Sequence, residues 1–417
     1  MLRYTVAVSA SLCAILIDAP TTLLPFRTPL DKLPLAGETL NQRLRRQLAE
    51  AGFGVLLTRT PEAITARDLP ALVVWPDAVL SDAAMMKVAQ SLKQGGPDAF
   101  IVGFDTFGHE ILTTAQASPT VRPLRMRWCH TVADLTRELP TRDFAQPPEL
   151  ALAVGVPAVT YGVCQATLHF LTVYGRAIET WADLLLLGSL LAREFTARRV
   201  APFTRLLGAK LLTRLAHHPH VLRRMNRIGN RCRIHPTAVL EGCVLGNDVE
   251  IGAFCHLRGA WLGDGVTVRE HSSIKVSLIQ AGAFLTRCDV FNSVVGAGAL
   301  IVTDTLFNCW IGAESFVGGG SGFSDFNASG RSVILQGPDG PVDSGLRMLG
   351  SALGEGCFIG AGLLFRPGLA IPHGSTVLST DLIDSAPTRP DGVYINRGHR
   401  LIQVPAAFLT GGEATHA

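Results

Sequence analysis

The feature that most constrains this chain is a repeat in its second half. Aliphatic residues recur there every five or six positions, running Ile234, Leu240, Leu245, Ile251, Leu257, Leu262, Val268 and Ile274 and continuing to Val317. A longer period of 16 to 17 residues is superimposed on it. Leu245-Gly246, Leu262-Gly263, Val295-Gly296 and Ile311-Gly312 mark that period, with Ile279-Gln280 where the glycine is missing. After an interruption the series resumes at Leu353, Ile359, Phe365, Ile371 and Val377. Neither the 3.6-residue period of a helix nor the alternation of a strand gives this spacing. A triangular solenoid does: three short strands per coil, one aliphatic side chain inward from each, and small residues at the corners.

The cysteines obey the same rule. Cys232, Cys243, Cys255, Cys288, Cys309 and Cys357 each stand two positions before an aliphatic residue of the series. Ala238, Ala260, Ser272, Ser277, Ala283, Ser293 and Ser315 fill that slot elsewhere, so it accepts only small side chains. Free cysteine behaves as a small buried hydrophobe. Cys232-x-x-His235 and Cys255-His256 lack the spacing of a four-ligand zinc site and read as structural. Nine cysteines with no regular framework fit reduced thiols and a cytoplasmic protein.

Residues 228–380 thus resemble the left-handed parallel β-helix of hexapeptide-repeat proteins, and that resemblance implies a homotrimer. Residues 318–345, rich in Gly, Ser, Asp and Pro, break the repeat and are expected to leave the solenoid as a loop or hairpin. Such an insertion is either surface decoration or a ligand or partner contact.

Composition narrows the remaining classes. With 47% apolar and 17% charged residues the chain has the reverse of a disordered composition. A net charge of +3 gives no support to a nucleic-acid partner. The apolar run from Val6 to Ile17 is about half the ~20 residues a spanning helix needs, so no transmembrane segment is expected. No A-x-A-like cleavage site follows it, and a buried first strand is the expected reading.

Residues 1–185 alternate strand-like runs (Leu12–Ile17, Ala71–Trp75, Ala99–Phe104) with helical stretches (Thr39–Ala51 and Ser81–Gln94), the signature of an α/β sheet domain. Three segments carry a resemblance to the nucleotidyltransferase domain of sugar-nucleotide pyrophosphorylases. They are Leu33-Pro34-Leu35-Ala36-Gly37-Glu38-Thr39-Leu40 with Leu48–Phe53, Ala71–Asp77, and Trp181-Ala182-Asp183. A nucleotidyltransferase domain followed by a left-handed β-helix is the layout of ADP-glucose pyrophosphorylases and mannose-1-phosphate guanylyltransferases. Bifunctional N-acetylglucosamine-1-phosphate uridylyltransferase/acetyltransferases share it. The resemblance implies a nucleotide or sugar-phosphate ligand, Mg²⁺ held by Asp77 and Asp183, and Lys32 as the lysine that follows the phosphate loop.

That loop departs from the family. Where glycines and an arginine are expected, the chain reads Leu16-Ile17-Asp18-Ala19-Pro20-Thr21-Thr22-Leu23. Pro20 removes an amide donor, and Asp18 would repel phosphate. Phosphoryl transfer depends on positioning and charge stabilisation, so pyrophosphorylase turnover is expected to be absent or very weak. The segment from Ile311-Gly312 to Asn327 and Gly330 resembles one in the acetyltransferase half of the bifunctional enzymes, and the resemblance implies a substrate-binding role for Asn327. The catalytic histidine of that half would fall near Val302 and Thr303, where none stands. His256, His271 and His373 are the candidates for a relocated general base.

Between the halves, Arg193–Arg231 carries ten Lys and Arg against one acid, with Leu206, Leu207, Leu211, Leu212 and Leu215 at helical spacing. A helical connector over 186–227 that packs its apolar stripe on a neighbouring domain is expected, with a C-terminal tail at 381–417. Three functions remain open: a divergent nucleotidyltransferase-like sugar-nucleotide transferase, a catalytically silent regulatory or scaffold subunit, and a hexapeptide-repeat acyltransferase acting on an amino sugar.

Overall fold

The computed structural model describes residues 12–19, 21–94, 98–105, 121–145, 150–155, 165–207, 223–327, 331–337, 340–378, 382–383, 385–387, 389–397 and 400–406. Val6 to Ser11, Pro20, Leu211, Leu212, Leu215 and Gly330 from the sequence reading lie outside these residues.

The first half builds a mixed six-stranded sheet from β1 (Leu12–Ile17), β2 (Phe53–Arg59), β3 (Ala71–Val74), β4 (Phe100–Asp105), β5 (Val121–Cys129) and β6 (Thr141–Asp143), in the order β2-β1-β3-β5-β4-β6. Strands β2 and β3 flank β1 in parallel, while β5 runs antiparallel to both β3 and β4. Two helices lie within the stretches that the sequence reads as helical. Helix α1 (Leu40–Glu50) opens on a reciprocal Thr39–Gln42 capping box, and α2 (Asp82–Lys93) on the Ser81 hydroxyl, which accepts from Ala84 N. Their apolar faces join Leu16, Leu72, Val74, Val102 and Met126 of the sheet in one core.

The second half is a left-handed β-solenoid with three parallel sheets. Its first face stacks Arg227–Ile228, Val244–Leu245, Trp261–Leu262, Leu278–Ile279, Val294–Val295, Trp310–Ile311, Ala352–Leu353 and Ala370–Ile371. Each coil turns one aliphatic residue per face into a continuous core, including Leu245, Leu257, Val268, Ile279, Val295, Ile311 and Ile371. The slot two residues earlier is buried as well. Cys243, Cys255, Cys288, Cys309 and Cys357 are buried free thiols, while Cys232 in the first coil is half-buried. Burial pushes the thiols up, Cys243 to about 11 and Cys288, Cys309 and Cys357 to about 12.

The two halves share a core. The outward column of the first face (Trp261, Leu278, Val294, Trp310, Ala352, Ala370) is apolar and packs against Phe26, Leu30, Leu33, Leu35 and the helix α3 (Trp181–Leu207). Leu184, Leu185, Leu187 and Leu190 of α3 belong to that cluster. Close approach depends on Gly188: a Cβ there would lie 2.5 Å from Val294 Cγ2.

The solenoid also differs from its sequence reading at the insertion. The glycines at 318–320 form a corner rather than the start of a loop. Gly320 takes a φ of +72° and stacks over Gly362, so the coil continues through the strand Gly322–Phe323. The chain leaves after Asp325, whose carbonyl accepts from Leu349 N on the way back. Between them Ile334–Gly337 and Gly340–Asp343 form a hairpin whose Val333 and Leu335 extend the interdomain core. The second face stacks Arg233–Ile234, Glu250–Ile251, Thr267–Val268, Phe284–Leu285, Leu300–Ile301, Phe316–Val317, Phe358–Ile359 and Thr376–Leu378, and near the C terminus Val393–Arg397 and Arg400–Val404 add two strands to it.

Candidate functional sites

The segment after β1 does not stand open as a phosphate loop. It is seated on the solenoid. Phe26 meets Trp310 edge-on at 5.4 Å. The amides of Arg27 and Thr28 donate to Glu355 Oε2 and Oε1 at 2.9 and 3.3 Å, and Pro25 O accepts from His373 N at 3.0 Å. Two successive amides form an anion-binding concavity, and here a carboxylate of the same chain occupies it. Lys32 ends the short helical turn Leu30–Lys32 and is exposed.

Asp77 and Asp183 come to neighbouring segments, since Asp77 O accepts from Ile178 N, two residues beyond the Arg176 that pairs with Asp183. Each carboxylate has a guanidinium of its own. Asp183 Oδ1 accepts from Arg176 Nε and Nη2 at 2.9 and 2.7 Å, and its Oδ2 accepts from Glu179 N, Thr180 N and Thr180 Oγ1 at the start of α3. Five donors therefore tie that carboxylate to the helix start. Asp77 Oδ2 lies 3.4 Å from Arg125 Nη1, and Arg125 also stacks over Trp75. Burial lifts the Asp77 carboxyl above its ordinary range against the opposing pull of Arg125. Among the described residues no three His, Cys, Asp or Glu side chains are grouped so as to hold a metal ion.

The solenoid histidines have three different settings. His256 opens the strand His256–Arg258 of the third face, stacked there between Val239–Glu241 and Ser273–Lys275, and its Nε2 lies 3.4 Å from Glu241 Oε2 on the preceding coil. Glu241 is held there by Arg258 Nε at 2.6 Å. The Glu241 side chain is 3% exposed and that of His256 is 39% exposed, so a buried carboxylate backs a ring that reaches solvent. His271 sits one coil further on at a corner, with φ +62°, and stacks on exposed Phe254 at 5.2 Å. His373 lies towards the far end, beside the Pro25 loop, with Nε2 3.9 Å from Asp391 Oδ2.

Asn327 uses its Nδ2 to bond the carbonyls of Arg331 and Ser332 at 3.1 and 3.4 Å, within the insertion. At the position where the resembled acetyltransferases place their histidine, the buried Thr303 hydroxyl donates to the Ser321 carbonyl. Sequence reading missed Glu241 and Glu355. Glu241 stands 17 residues, one coil, before Arg258, and that period was the signal that could have found it.

No protein-family model and no curated protein matches the sequence. Among solved structures the chain is similar to a UDP-N-acetylglucosamine acyltransferase from Bacteroides fragilis, at 13% identity and TM-score 0.31, over 46% of this chain and 76% of that one. It is similar to the UDP-N-acetylglucosamine acyltransferase of Francisella novicida, at 12% identity and TM-score 0.24, over 45% and 74%. A polysialic acid O-acetyltransferase gives 15% identity and TM-score 0.17, over 43% and 87%. These likenesses reach less than half of this chain. No helix among the described residues is long and apolar enough to cross a membrane.

Proposed function

We propose that this chain is a hexapeptide-repeat acyltransferase that moves an acyl group from a thioester to the amine of an amino sugar, with His256 as general base. The observation that carries the reading is the His256–Glu241 contact on the third face. A carboxylate at Nε2 favours the tautomer protonated there and leaves Nδ1 as the proton acceptor. The substrate nitrogen then attacks the thioester carbonyl and gives its proton to Nδ1. As the carbon–sulfur bond breaks, the departing sulfur takes that proton back. A positioned base of this kind is typically worth ~10²–10⁴ in rate.

The proposal includes a homotrimer. The first face is covered by the sheet domain, while Phe284, Leu300, Phe316 and Phe358 line up outward on successive coils of the second face. Phe284 and Leu300 are each 38% exposed and Phe358 is 43% exposed, and Phe316 stacks on Phe358 at 4.7 Å. Contiguous apolar ladders on a surface mark interaction sites, and packing against a second copy would cover this one.

A second reading concerns the sheet domain alone: a catalytically silent relative of the nucleotidyltransferases, kept as a scaffold. The seating of Phe26–Thr28 on Trp310 and Glu355 supports it, because the segment that would embrace a nucleotide is used to join the domains. Sugar-phosphate, nucleotide and Mg²⁺ binding belong to this reading as its open ligands.

The experiment is a thiol-release assay with short and long acyl-thioesters and a panel of free and nucleotide-linked amino sugars. His256→Asn is expected to lower turnover by about 10²-fold or more, and Glu241→Gln by a smaller factor. Turnover insensitive to His256→Asn would remove the assignment. No turnover with any thioester would leave the scaffold reading.

A further inference from the structure

The two ends of the solenoid core are finished differently. At the far end Val393–Arg397 adds a strand beyond Thr376–Leu378, and Val377 beneath it is sealed from solvent. At the near end the first coil (Arg227–Ile228, Arg233–Ile234 and Val239–Glu241) is outermost in all three sheets. Ile228 pairs with Leu245 of the next coil and so belongs to the inward row, yet it is 49% exposed. Cys232, Ile234 and Ala238 are only partly buried against the core. Asn226 closes one corner, donating from Nδ2 to Leu240 O and accepting from Cys243 N at Oδ1, both at 2.8 Å. Terminal repeats ordinarily present a polar cap, and here part of the core end stays open.

Arginines flank this opening. Residues 223–240 hold Arg223, Arg224, Arg227, Arg231 and Arg233 and no acid. Arg231 and Arg233 reach Asp248 and Glu250 on the second coil, at 2.5 and 2.6 Å. Arg223, Arg224 and Arg227 are exposed and have no acidic partner among the described residues. The core shared with the sheet domain comes no nearer than Trp261 on the third coil, so it leaves this end uncovered.

The combination selects the partner. A second copy packed end to end would bring arginines onto arginines. A nucleic acid would use the cations but not the apolar opening, and residues 223–240 contain no Phe, Tyr or Trp on which a base could stack. An anionic bilayer surface uses both, with phosphates for the arginines and the acyl boundary for the apolar groups. We propose that the first coil docks end-on to an anionic lipid surface, with Arg223, Arg224 and Arg227 on the headgroups and Ile228 at the acyl boundary. The outer strand edges carry backbone groups that need water, so the coil rests at the interface and does not enter the hydrocarbon. This docking is independent of acyl transfer at His256.

The test is flotation of the full chain with vesicles of phosphatidylcholine or of phosphatidylglycerol. Each arginine near an anionic surface contributes about 5-fold, so the three unpaired ones should favour phosphatidylglycerol by ~100-fold, and the preference should fall as salt is raised. Arg223→Gln, Arg224→Gln and Arg227→Gln together should remove that preference; all three side chains are exposed, so the fold is kept. Ile228→Ser should weaken binding by about 5-fold, and His256→Asn should leave it unchanged. Equal partitioning onto both lipids, binding indifferent to the triple variant, or tighter binding to a single-stranded oligonucleotide than to the vesicles would each overturn the assignment.

Discussion

Replacing Gly188 with alanine sets two effects of opposite sign against each other. Gly188 lies inside α3. In an unpacked helix the exchange would stabilise by about 1 kcal/mol, because glycine is that much poorer than alanine in a helix interior. Here the new Cβ would fall 2.5 Å from Val294 Cγ2. Val294 is 1% exposed and β-branched, so its side chain has no alternative rotamer in open space. Relief has to come from moving the helix off the solenoid, and overpacking of this kind costs roughly 1–3 kcal/mol. The expected net effect of Gly188→Ala is a loss of about 1 kcal/mol, taking the middle of that range. Val294→Ala destabilises through the cavity it leaves, but the double variant should recover part of the loss, giving a coupling of about 1–2 kcal/mol in a urea-denaturation cycle. A Gly188→Ala protein more stable by about 1 kcal/mol, with no coupling to Val294→Ala, would refute the close docking of α3.

Other outcomes follow from separate parts of the molecule. The Cys309 thiol, pushed up to about 12 by burial, should resist thiol reagents at pH 8 until the chain unfolds, and Cys309→Leu should cost roughly 1–3 kcal/mol by thermal denaturation. Burial raises the Asp82 carboxyl, but hydrogen bonds from Gln47, Arg46 and Arg198 and the charge of Arg43 outweigh it and hold it at about 2. A depressed carboxyl stabilises fully above its unfolded value near 3.9 and loses that contribution as pH falls towards 2, so Asp82→Asn should flatten the acid limb of a stability–pH curve between about pH 4 and 2. Asp183→Ala leaves Arg176, whose side chain is 12% exposed, without its partner and should cost about 3 kcal/mol by urea denaturation. Leu300→Asp, in the middle of the exposed ladder, should shift the mass measured by light scattering towards the single chain.

The solenoid was legible because its rule is local: one inward aliphatic residue per short strand and a small residue two places before it. The helical stretches Thr39–Ala51 and Ser81–Gln94 were likewise readable from neighbouring residues alone, and they contain α1 and α2. What escaped depends on which surfaces meet. The column Trp261, Leu278, Val294 and Trp310 is visible in the sequence, each residue one place before an inward one, yet only the fold shows that the first face carries a domain. The bonds from Arg27 and Thr28 to Glu355 span more than 300 residues and have no local signal. Gly318–Gly320 misled because glycine serves a loop and a left-handed corner equally well, and stacking over Gly362 decides between them. For the candidate site, His256 was readable as an ionisable group on the solenoid, but its buried carboxylate became visible only by counting one coil back from Arg258.

Repeat proteins ordinarily gain or lose whole units with little penalty, because each unit meets only its neighbours. Here six successive coils from Trp261 to Ala370 provide footholds for the sheet domain, its long helix and the inserted hairpin. An added coil between them would carry every later foothold about 4.8 Å along the axis. Glu355 and His373 would be drawn away from the backbone of residues 25–28. The sheet domain therefore acts as a ruler laid along the solenoid, and it fixes how many coils this stretch can contain.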